Sequence, residues 1–147
     1  MRRAALALAL LCGCVPARAT LPNMDEQRAL DVTSAAWQAR GFPACTERVV
    51  VLRNADATET RHYCGAAMAC YFAITGRAVI VIGAANPPDM IRASGEPVIH
   101  EALHWLAHCA GQGSDHDHVR RDLWRFNGAG TIQQSAEEQG YAPFWNP

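Results

Sequence analysis

The chain has 147 residues, 13 basic and 14 acidic, a formal charge of -1, and half of its residues are hydrophobic. That length fits one domain rather than two, the balanced charge lacks the basic footprint of a nucleic-acid binder, and the apolar content is too high for a disordered chain. Every basic residue is Arg, and five of the six histidines lie between residues 100 and 118.

Residues 1–19 have the form of an export signal: Arg2-Arg3, then an apolar run of eight from Ala4 to Leu11, then small residues. The run is far shorter than the roughly 20 residues that span a bilayer. Two cleavage positions fit. Ala17-Arg18-Ala19 predicts a mature start at Thr20, whereas Leu11-Cys12-Gly13-Cys14 resembles the lipobox of bacterial lipoproteins, with Cys14 lipidated and the protein attached to a membrane. Either way the expectation is an exported protein, periplasmic, membrane-anchored or secreted, with a single domain over 20–147. Cys45, Cys64, Cys70 and Cys109 then remain, and an even number outside the cytoplasm predicts two disulfides of open connectivity.

Along that domain, the Asn23-Met24-Asp25-Glu26 start and the Gly41-Phe42-Pro43 stop predict a helix over 23–40, with Leu30, Ser34 and Trp37 on one face. Arg48–Arg53 and Arg77–Gly83 are β-branched runs and predict buried strands, with a third short strand through Cys70-Tyr71-Phe72. The polar stretch 54–62 is expected to be a loop, 84–96 a connection, and 128–147 loop-like. The fold class that follows is α+β, a few-stranded sheet packed on a helix.

That helix is predicted to run from Pro97 to Gly111, with Ile99, Leu103, Leu106 and Ala110 as its apolar stripe. His100, His104 and His108 form a neighbouring stripe. His100 and His104 are one turn apart, so both imidazoles can reach a single ion, and Glu101 beside them can bind a water on that ion. Two neutral imidazoles leave zinc its full charge to acidify water, and a carboxylate at this place takes the proton as the water attacks a carbonyl. His108 lies a further turn along, about 6 Å, and points past such an ion. The third ligand must therefore come from Asp115-His116-Asp117-His118, beyond the Gly111-Gln112-Gly113 turn, with an imidazole preferred and a leftover Asp available to accept a ligand's second ring N–H.

His100-Glu101-Ala102-Leu103-His104, followed by Asp115-His116-Asp117-His118 and Leu123-Trp124, resembles small bacterial exported proteins of the zincin type. The logic is that of metzincins, a third His after a glycine turn. The spacing is not, because the Gly comes at 111 and the next histidines at 116 and 118, and no Met follows the helix. The resemblance covers residues 95–124. It implies a zincin-like domain with zinc on His100, His104 and His118 (His116 as the alternative), Glu101 as general base, and a peptide or protein as substrate. It also implies an edge strand at 77–83, beside the helix, to hold an extended peptide. The opposing expectation is a non-catalytic, zinc-binding, disulfide-stabilised envelope protein. Tyr63, His62, Tyr71, Tyr141 and Arg120 fit an oxyanion donor no better than they fit core packing or surface charge, and Trp105 and Trp124 read as packing residues.

Overall fold

The computed structural model describes residues 16–74 and 76–141. The expected export signal's apolar run 4–11, Cys12 and Cys14 lie outside the described residues, as do the last six. Helix α1 (Met24–Ala39) opens with a capping box, in which the Asn23 side chain accepts the Glu26 N–H and the Glu26 carboxylate accepts the Asn23 N–H. Strands β1 (Arg48–Ala55), β2 (Ala69–Ile74) and β3 (Arg77–Gly83) form one sheet in the order β1-β3-β2, with β3 parallel to β1 and antiparallel to β2.

The strands read as unbroken apolar runs because both faces of the sheet are covered. Val49, Val51, Tyr71, Ala78, Ile80 and Ile82 join the main core beneath the helices, while Val50, Leu52, Val79 and Val81 form a second cluster with Tyr63 and Phe72. The alternation is that of a strand with side chains on opposite faces. The second cluster has a cover that polarity concealed. Most of the stretch 54–62, expected as loop, belongs to helix α2 (Ala57–Cys64), started by Asp56, whose side chain accepts the N–H groups of Thr58 and Glu59.

The connection after β3 contains helix α3 (Pro88–Ser94), which runs into α4 (Glu96–Cys109) through Gly95. Gly95 closes one helix and opens the next at φ +61, and a Cβ there would sit 2.2 Å from the Tyr141 hydroxyl oxygen, so no other residue fits. The expected loop-like end holds helix α5 (Ile132–Gly140), capped by Thr131 and packed on α1 and α4.

Helix α4 is central. Ile99, Leu103 and Leu106 are buried as its stripe predicts, and Val98, Ala102 and Ala107 are buried too, because β2, β3, α1 and α5 surround it. The disulfide Cys45–Cys109 pins its last residue to the segment before β1, and Cys64–Cys70 ties the end of α2 to β2. One expectation is corrected here: β3, residues 77–83, is the central strand, and the edge strand beside α4 is β2. A parallel β1–β3 pair leaves only the outer side of β3 for the β2 hairpin, which puts β2 at the edge. Among the described residues no helix is long and apolar enough to cross a membrane.

Candidate metal centre

His100 and His104 project from successive turns of α4 into a cleft of about 430 Å³, whose opposite wall is Tyr63, Tyr71, Phe72 and the Cys64–Cys70 bridge. After the helix the chain turns back through Gly111 and Gly113, both at positive φ, and delivers His118 to the pair. The Nε2 atoms of His100 and His104 are 3.3 Å apart, and those of His100 and His118 3.0 Å. Ligand nitrogens at the usual zinc distance of about 2.0–2.1 Å, arranged tetrahedrally, lie about 3.3 Å from one another. The ligand atoms of all three residues fall within 4.8 Å of one another, and this group could hold a metal ion.

Protonation favours the same use. The Ser114 carbonyl lies 2.5 Å from His104 Nδ1, and since a carbonyl only accepts, this nitrogen carries the proton and Nε2 presents its lone pair to the other imidazoles. Burial pushes His104 down to about 4, against the Ser114 carbonyl, which favours the protonated ring. Burial and the neighbouring His104 and His118 push His100 down to about 4 as well. Both rings are therefore neutral at pH 7, the form that can bind a cation.

Glu101 lines the same cleft and is only 5% exposed. Burial raises its carboxyl to about 8, although the Tyr71 backbone N–H stabilises the charged form. An ionised Glu101 is therefore costly without a cation nearby.

The fourth histidine of the cleft, His116, lies with its ring 5.2 Å from that of His104 and does not join the three-nitrogen group. His108 accepts or donates at Nδ1 with the Tyr71 hydroxyl, 2.7 Å away, and is turned from the group. Of the residues weighed as oxyanion donors, Tyr63 and Tyr71 line the cleft, Arg120 is engaged by Asp122 and Gln112, and Tyr141 packs against Gly95. His62 is exposed on α2 and stacks edge-on to Tyr63.

Two residues lie behind the imidazoles: Trp124, which the sequence offered only as a packing residue, and Asp115, which it offered as a ligand or as the acceptor of a ligand's ring N–H. Trp124 is fully buried, its ring centroid 4.8, 4.6 and 4.5 Å from those of His100, His104 and His118. Asp115, expected to accept a ligand's ring N–H, instead accepts the Trp124 Nε1–H at 2.6 Å. Asp115 and His118 both have left-handed backbones, φ +51 and +53. That conformation costs roughly 1–2 kcal/mol for a residue with a Cβ, and it persists where surrounding bonds enforce it.

A second cleft of about 500 Å³, between α2 and the end of β3, is lined by Ala55, Ala57, Thr60, Arg61 and Met68 and assembles no comparable chemistry. No family model, curated protein or solved structure matches the chain.

Proposed function

We propose that this chain is a zinc-dependent peptide-bond hydrolase with a zincin-like active site. The observation that carries the reading is the convergence of His100, His104 and His118 in one cleft with Glu101, a buried carboxylate one residue along from the first ligand. Three imidazoles are a donor set suited to zinc and leave one position open for catalysis. Zinc in this position supplies Lewis acidity, polarising a carbonyl and acidifying water.

The chain's own residues supply the rest. Glu101, shielded from solvent, would be ionised by a cation held on the neighbouring imidazoles and would then take a proton from the attacking water and return it to the departing amine nitrogen. The Tyr71 N–H steadies the Glu101 carboxylate in its charged form. Trp124 and the bulk of α4 close the back of the site against water, so that approach is confined to the cleft between α4 and β2.

Export supports the same picture. Two disulfides suit an oxidising compartment. Between the two cleavage positions, the contacts of residues 16–19 favour cleavage before Cys14. Pro16 is buried, Ala19 packs on the second apolar cluster, Arg18 pairs with Glu59, and cleavage before Thr20 would remove all three. The mature protein is then a lipoprotein attached to a membrane through Cys14, and a mass spectrum of its N-terminus checks this.

The decisive experiment measures metal content and peptide hydrolysis of the purified protein beside Glu101→Gln. Stoichiometric zinc in both, with hydrolysis of a peptide library lost only in the variant, is expected. Absence of zinc in the wild type overturns the centre, and equal hydrolysis by the variant overturns the base. Zinc without any hydrolysis leaves a non-catalytic zinc-binding envelope protein.

A further inference from the structure

We propose that Asp115, acting through Trp124, is the positioning residue of the three-histidine centre. The proposal rests on the reading that His100, His104 and His118 hold a metal ion, and not on what reaction follows. One Asp115 oxygen, Oδ2, accepts the Trp124 indole N–H at 2.6 Å and the Arg120 backbone N–H at 3.2 Å. The other, Oδ1, accepts the Val119 N–H at 3.2 Å, and the Asp115 carbonyl accepts the His118 N–H at 2.9 Å. The same residue thus ties the turn that delivers His118 and fixes the orientation of the indole.

The indole is what all three imidazoles share. Its ring lies 4.5–4.8 Å from each of theirs, on the side away from the cleft, and it is fully buried. His104 has a partner of its own at Nδ1 in the Ser114 carbonyl. For His100 and His118 the Trp124 face is a common wall that restricts ring rotation. A ligand set held in this way binds its ion without first ordering three side chains, and supporting groups of this kind typically contribute 10–100-fold in metal affinity. Without the carboxylate, the Nε1–H is a buried donor with no acceptor, and the indole moves to satisfy it.

Asp115 also bonds three backbone N–H groups of its own loop, counting that on its carbonyl, so a purely local role is the competing explanation. The two are separated by a double-mutant cycle on Asp115→Asn and Trp124→Phe. Asn tolerates the left-handed backbone but replaces one acceptor oxygen with an NH₂ group, and Phe keeps an apolar wall without the indole N–H. The readouts are the Co²⁺ dissociation constant from chelator competition and the visible absorption spectrum of the Co²⁺ protein, which reports ligand geometry.

Each single variant is expected to bind Co²⁺ about 10–100-fold more weakly with an altered spectrum, and the double variant no more weakly than the weaker single. Wild-type affinity and spectrum in Asp115→Asn overturns the proposal, as does a double variant whose loss is the product of the two. Wild-type protein that takes up no Co²⁺ or Zn²⁺ overturns the metal reading itself, an outcome distinct from the other two. If Asp115→Asn does not fold, the indole ¹H–¹⁵N resonance of Trp124, assigned from its absence in Trp124→Phe, serves instead. It is expected to be protected from exchange and to shift when the wild type is titrated with Zn²⁺, and an unprotected, unshifted resonance overturns the proposal.

Discussion

The backbone carbonyl of Ser114 accepts the Nδ1–H of His104 at 2.5 Å, so the main chain just past the glycine turn decides which nitrogen of a helix residue faces the cleft. A ligand oriented in this way is the one whose loss should be felt most. His104→Ala is expected to lower zinc affinity by well over the roughly 100-fold typical of losing a supporting group. His108→Ala and His116→Ala are expected to retain stoichiometric metal, because neither belongs to the three-nitrogen group. Metal analysis of the three purified variants after dialysis checks this.

Glu101 should destabilise the metal-free protein. Its carboxyl is raised to about 8 in the folded chain, above the ordinary value of about 4.5, so the folded state holds the proton more tightly than the unfolded state. The favourable contribution is full below about 4.5 and is lost as pH rises through 8. Glu101→Gln is therefore expected to raise the melting temperature of the metal-free protein at pH 8 and above, and to change it little near pH 4. Zinc should narrow the difference at pH 8, because the cation offsets the carboxylate charge. Thermal unfolding by circular dichroism, with and without chelator, measures both.

The two disulfides should contribute unequally. Cys45–Cys109 spans 64 residues and Cys64–Cys70 only 6. On the chain-entropy argument the first is worth about 4 kcal/mol and the second about 2. Denaturant unfolding of the two paired Cys→Ser variants is expected to reproduce that order. The short bridge, which lines the cleft wall, should affect hydrolysis more than its share of stability suggests.

Glu26 is fully buried beneath Arg53, whose Nε–H donates to it at 2.6 Å and whose Nη2 pairs with its other oxygen. Arg53→Met strands this charge and is expected to cost about 3–5 kcal/mol. Adding Glu26→Gln to that variant should recover part of the loss, since the uncompensated charge goes with it. Urea titration of both variants gives the comparison, and a double variant less stable than Arg53→Met would contradict it.

What the sequence determined by itself is what depends on local spacing. The β-branched runs at 48–53 and 77–83 are strands, the i, i+4 spacing puts His100 and His104 on one side of a helix, and four cysteines form two bridges. Alternation and helical period are properties of neighbours in the chain, and they survive in any fold that buries one face. Tertiary structure decided the rest. The sheet order put β3 in the centre and β2 at the edge beside α4, which the apolar runs could not tell, because such a run reports cover on both faces and not neighbours within the sheet: β1 has one too and is an edge. Helix α2 escaped periodicity because it buries no residue that could set a stripe, and α5 because its buried side, Ile132, Gln133, Ala136 and Gly140, includes a glutamine and a glycine and so shows no apolar period. His118 meets the helix pair from a turn that contains two left-handed residues and the hydrogen bond from Trp124 to Asp115, neither of which has a signature in residue order. A metal centre needs side chains from distant parts of the chain to agree to within a fraction of an ångström, and only the packed core imposes that.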